Sequence, residues 1–330
     1  MAQNPPFDVL CTIFEHYAEL DRPAVPQRLE TFLLVCRTWH GVASQHARIW
    51  STFNLRFKAV KDVLYWASCV PRRLVRYTAS ALLDIKLATS PDGDVFKVSK
   101  TFERILLALV GDAGVTGQRW RTFEIDGRST LELSHMLEKC LSFPTPNLQE
   151  FRIDGLNCRR AVLPDTSALM TLSMRNCTLA SLPSLVNVTN LRISTLHGFD
   201  GQVLAGALNV RTMKIEGREP YNLATTYPYL QSLKLRGIIH DGSLDGFCAS
   251  ALCELTLLVG RGRDYLPVVS CTGIQLKKLK RVKVGLYIKT STMLPEYLTG
   301  LHRFLEEVVN LEELIFGDRM AASLVQTTYR

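Results

Sequence analysis

From residue 120 to the C-terminus a short unit, apolar-x-x-apolar-x-apolar, recurs nine times, and no other feature constrains the fold so strongly. The copies begin at Trp120, Leu148, Leu169, Val188, Val210, Leu230, Leu252, Leu279 and Leu311, at spacings of 28, 21, 19, 22, 20, 22, 27 and 32 residues. Such a unit is a short strand whose alternate side chains turn inward. One copy means little, because any amphipathic segment can supply it, whereas nine that keep step mark a repeat architecture. The alternative is an ordinary α/β domain, but roughly 20 residues between strands leave little room for full crossover helices.

The clearest copy runs Leu169-x-x-Leu172-x-Met174-x-x-Cys177-x-Leu179, and Asn157 and Cys158 follow Ile153 in a comparable place. This pattern resembles the leucine-rich repeat, which places Asn or Cys in the turn. The resemblance implies an irregular solenoid over residues 57–330, a curved parallel sheet with helices or loops on its convex side. Leu82, Ile85 and Leu87 suggest an earlier strand, followed by a turn at Ser90 to Asp94 and a helix from Thr101 to Val110. Leu294, Leu298, Leu301, Leu305 and Val308 recur at helical spacing and predict a capping helix near 294–309, since an open solenoid end exposes its core. Arg72 to Tyr77 has no assignable pattern.

Residues 1–56 read differently. Helical stretches at Asp8 to Tyr17 and Leu29 to Trp39 are joined by a Pro-containing link at Asp21 to Pro26, and a third stretch ends at Trp50. Val9, Leu10, Ile13, Phe14 and Tyr17 form one apolar face. A unit of about 50 residues with so much apolar surface needs burial from a partner or from the repeats. Pro6-x-Asp8-Val9-Leu10-x-x-Ile13-Phe14, then Leu33-Leu34-Val35-Cys36-Arg37-x-Trp39, then Ile49-Trp50, resembles the F-box motif over residues 4–55. Pro5 stands where the motif usually has Leu, Asp8 replaces its Glu, and the link between helices is long.

The resemblance implies an α/β protein with a short helical F-box and a repeat domain, acting as substrate receptor of an SCF-type cullin-RING ubiquitin ligase in the cytoplasm or nucleus. Its adaptor-facing or core positions, toward a Skp-family adaptor, fall on Pro6, Val9, Leu10, Ile13, Phe14, Leu33, Val35, Cys36 and Trp39. Trp39 and Trp50 read as core, since Trp buries a large area. The alternative is an adaptor-independent repeat scaffold whose F-box-like unit caps the solenoid.

Charge separates the two parts. The net charge is +8, from 39 Lys and Arg against 31 Asp and Glu, yet the first 56 residues hold five of each sign. The surplus therefore lies after Arg56. In each unit the residue between the last two apolar positions points to the concave face. There the series Glu124, Arg152, Ser173, Arg192, Lys214, Lys234, Thr256, Lys283 and Ile315 is largely basic in its middle, and Arg175 and Arg236 stand two places on in their strands. Arg152, Arg175, Arg192, Lys214, Lys234, Arg236 and Lys283 are the candidate surface for an acidic or phosphorylated protein segment. Alternatively, Asp154 and Glu216 neutralise the ladder and it is merely solvated.

Other classes find little support. Neither G-x-S-x-G, G-x-x-x-x-G-K-[ST] nor H-E-x-x-H occurs, Gly260-Arg-Gly262 lacks the rest of a dinucleotide fingerprint, and a non-catalytic protein without cofactor is expected. Nine scattered cysteines without a C-x-x-C pair read as reduced thiols, and Cys36, His40 and His46 lack a fourth metal ligand. The longest apolar run, Ile105 to Val110, is too short to span a bilayer, and the N-terminus does not read as a secretory signal. The basic run Lys277 to Lys283 fits a strand lead-in better than a nucleic-acid contact, because Leu279 and Val282 keep the repeat.

Overall fold

The computed structural model describes residues 6–19, 28–78, 80–89, 99–127, 131–158, 166–179, 183–195, 204, 206–217, 225–237, 247–259, 274, 276–286, 306 and 308–316. It is an α/β structure of two compact units, Met1–Ala168 with Leu179–Pro183, and Leu169–Thr178 with Ser184–Arg330. The expected link at 21–26, the turn at 90–94 and Gly260–Gly262 lie outside the described residues, as does nearly all of the expected capping helix.

The first unit opens with four helices, α1 (Phe7–Glu19), α2 (Arg28–Val35), α3 (Arg37–Gln45) and α4 (Ala47–Trp50). The single stretch expected from Leu29 to Trp39 is two helices. Cys36 is extended (φ −162°, ψ 171°) and its thiol accepts the Trp39 N–H at 3.5 Å, so it caps α3 rather than continuing α2. Strands and helices then alternate: β1 (Thr52–Phe57), α5 (Val60–Arg76), β2 (Leu83–Thr89), α6 (Ser99–Val110), β3 (Trp120–Asp126), α7 (Leu131–Cys140), β4 (Glu150–Asp154) and the two-residue β5 (Asn157–Cys158). Arg72 to Arg76, unassigned from sequence, close α5, whose start is held by the Asp62 carboxylate accepting the Lys58 and Ala59 N–H groups at 2.9 Å each. β1 to β4 are parallel and side by side, and Leu55, Leu87, Ile125 and Ile153 share one buried register line. Residue 56, where sequence placed a domain boundary, lies within β1.

The second unit carries β6 (Thr171–Arg175), β8 (Asn190–Thr195), β9 (Thr212–Gly217), β10 (Ser232–Gly237), β11 (Glu254–Val259), β12 (Arg281–Leu286) and β13 (Glu313–Phe316), seven parallel strands in that order. The two-residue β7 (Thr178–Leu179) follows β6. Leu172, Leu191, Met213, Leu233, Leu255 and Val282 align strand to strand and are buried. Each such side chain contributes about 1.5–3 kcal/mol of apolar burial.

A repeated turn enters these strands. The N–H groups of Val188, Val210, Leu230 and Leu252 each donate to the carbonyl three residues back, at 3.1 to 3.3 Å. Asn209 Nδ2 donates to the Val186 carbonyl at 2.7 Å and Asn310 Nδ2 to that of Lys277 at 2.6 Å, tying each turn to the one before. Asn147 does the same in the first unit, to Gln118 at 2.8 Å. At the far end of β10, Gly237 (φ +134°) lies against Gly217, whose carbonyl oxygen would be 1.8 Å from an added Cβ, so a side chain cannot be carried there.

Candidate interaction surfaces

The helices of residues 7–50 enclose a core of Leu10, Phe14, Phe32, Val42, Ala43, Ile49 and Trp50. Phe14 stacks on Phe32 with centroids 4.3 Å apart, and Trp39 meets both rings edge-on at 5.1 and 5.9 Å. Trp50 is fully buried, donates Nε1–H to the Ala43 carbonyl at 2.6 Å and stacks on Tyr77. With this interior filled, the nine motif positions divide. Leu10 and Phe14 are core, Leu33 and Trp39 pack half-buried against it, and Pro6, Val9, Ile13, Val35 and Cys36 face solvent. Phe7 and Leu34 join the exposed set, Leu34 at 82% exposure, although sequence reading did not select them. Val9 and Ile13 stand four apart on α1 and so share a face.

These helices are also anchored within the first unit. Arg73, on α5, donates through Nε and Nη2 to Glu30 Oε1 of α2 at 2.9 and 2.7 Å. Its guanidinium lies 5.6 Å from the Trp50 ring centroid and 5.2 Å from that of Trp66, and its side chain is only 4% exposed. An Arg so placed gains from both rings as well as from the carboxylate. Cys36, His40 and His46 do not converge on a metal. His46 Nε2 meets Glu15 Oε1 at 3.1 Å and His40 Nδ1 meets the Ser44 hydroxyl at 3.5 Å. Among the described residues no group of three or more His, Cys, Asp or Glu could hold a metal ion, and no helix is long and apolar enough to cross a membrane.

In the second unit the basic series stands in register. Ser173 pairs with Arg192, Arg192 with Lys214, Lys214 with Lys234, Lys234 with Thr256, and Thr256 with Lys283. Glu216, on the same face, draws in three of the cations: Lys214 at 2.8 Å, Arg192 at 3.9 Å and Arg236 at 4.0 Å. Burial opposes its ionisation, but the Lys214 hydrogen bond and the fields of Lys214, Arg192 and Arg236 outweigh that, so its carboxyl titrates below the ordinary range. Arg192 Nε is buried with no acceptor among the described residues. Lys234 titrates below an ordinary Lys because of burial and the charges of Lys214, Lys283 and Arg236, against which Glu216 pulls the other way.

Arg175 is exposed on β6, its strand position beside Ser194. Arg152 belongs to the first unit, where it donates to Glu150 at 3.1 Å. Sequence reading also missed Arg73, because nothing near it in the chain points to Glu30, 43 positions away. The turn asparagines had a signal, an Asn immediately before the first apolar residue of a unit, at 147, 187, 209 and 310. No protein-family model matches the chain, and comparison with curated proteins finds no match either.

Proposed function

We propose that this protein is the substrate-recognition subunit of an SCF-type ubiquitin ligase, its N-terminal helices docking to a Skp-family adaptor and its second unit holding a protein substrate. The chain is read as non-catalytic, and the ligase context places it in the cytoplasm or nucleus. The observation that carries this reading is the division of the F-box-like motif. Its interior positions fill a small aromatic core, while Phe7, Val9, Ile13, Leu34 and Val35 remain exposed on two helices. Large apolar side chains left outside a satisfied core are what an interface uses. The basic sheet face supplies the other half of a receptor, with charge-assisted donors for an acidic segment.

Co-expression with a Skp-family adaptor tests the reading. The wild-type protein is expected to co-purify, and Val9→Asp with Leu34→Asp to lower affinity at least about tenfold while the circular dichroism melt is unchanged. Leu10 is unsuitable for this purpose because it is core. The second reading, a repeat scaffold whose helices act as a cap, draws on the Arg73 contact that binds α2 to α5. A full-length protein that ignores the adaptor at micromolar concentration selects the scaffold.

A further inference from the structure

We infer that Lys234, Thr256 and Lys283 form a subsite for one phosphoryl group, carried by a phosphorylated Ser or Thr in an extended peptide lying across the strands. The inference deepens the receptor reading, since it names the chemistry of what the basic face takes. The three residues are register neighbours on β10, β11 and β12, on the face opposite the buried Leu233, Leu255 and Val282. Adjacent parallel strands lie about 4.8 Å apart, so two flexible ammonium groups flank one hydroxyl over about 10 Å, a span their side chains close on a tetrahedral anion.

The electrostatics select this place among the cations. Glu216 is in ion-pair range of Arg192, Lys214 and Arg236. Among the described residues no carboxylate is in such range of Lys234 or Lys283, and burial together with the charges of Lys214, Lys283 and Arg236 lowers the proton affinity of Lys234. Two like charges held together with no described carboxylate in ion-pair range match a dianion better than a single carboxylate.

A peptide fits better than nucleic acid. Glu216, Glu254 and Glu313 share the face and would repel a run of phosphates, while none of the described outward positions from β8 to β13 is aromatic, so bases have nothing to stack on. Ile315 is the exposed register neighbour of Lys283 on β13. It lies about two strand steps from Thr256, which an extended chain covers in about three residues, so the peptide should carry an apolar side chain about three positions from its phosphate.

Fluorescence anisotropy on the full-length protein tests this with a degenerate peptide pool fixed at a central phosphothreonine, its unphosphorylated twin, and a single-stranded oligonucleotide. The phosphorylated pool is expected to bind at least about tenfold tighter than its twin. Lys234→Ser with Lys283→Ser should erase that difference, and Lys277→Ser with Lys278→Ser, equal in charge lost, should not. Affinity for the phosphorylated pool should rise as pH is raised through about 6, where phosphate takes its second charge, and stay flat for a pool with Glu in its place. Equal binding of the two peptide pools, or an intact preference in the Lys234/Lys283 double variant, overturns the subsite. So does an oligonucleotide that binds more tightly than either pool. Adaptor co-purification depends on α1 and α2 instead, so its outcome and this one are scored separately.

Discussion

Arg73 shows how much a single side chain can settle. It is charged, almost wholly inside, and satisfied by one carboxylate oxygen and two indole faces. Arg73→Ala should cost about 2 kcal/mol in urea unfolding, because the Glu30 carboxylate, whose Oε2 already has no donor among the described residues, then loses both bonds to Oε1. Arg73→Met, which keeps the stem against Trp50 and Trp66, should cost less. Gly237→Ala is expected to destabilise by about 1–3 kcal/mol, read as a lower denaturation midpoint, since both its positive φ and the Gly217 carbonyl exclude a Cβ. None of these was legible in the sequence. An Arg among other basic residues and a Gly at a strand end acquire meaning only from neighbours that the chain brings from 43 and 20 positions away.

Elements were far more legible, for a plain reason: alternation of apolar residues is a local property that burial on one face enforces in every strand. All nine sequence units coincide with strands, and the early strand near Leu82 to Leu87 is β2. β1 escaped notice although Thr52 to Phe57 alternates fully, because its residues were absorbed into the tail of the helical motif. The helix break at Cys36 escaped too, since a thiol is not an ordinary cap and the apolar spacing continues across it. The turns make their own prediction. Asn209→Ala removes a bond to the Val186 carbonyl and should cost about 1 kcal/mol. Because each repeat leans chiefly on its neighbours, hydrogen exchange should quicken in β8 and β9 and be unchanged in β1 to β3.

At the scale of the molecule, a boundary was placed at residue 56 with the helical segment expected to take burial from a partner or from the repeats, and the half-buried Tyr77 packs against its core while its α2 is held by Arg73, both beyond residue 56. A fragment of residues 1–56 alone should therefore show no cooperative thermal transition by circular dichroism, whereas 1–168 should show one. Which apolar residues of the motif lie outside could not be read from the chain, because exposure is decided by what fills the small core first. The candidate basic face was readable as a list, with Glu216 among its possible neutralisers, but not which cations Glu216 gathers, since Arg192, Lys214 and Arg236 come to it from three different strands. Lys234, Thr256 and Lys283 stand together although 22 and 27 residues separate them along the chain, and intervals between units vary freely without disturbing that neighbourhood. Recognition built this way leaves no linear signature: its letters are written down a column, and insertions between rows can accumulate without changing the word.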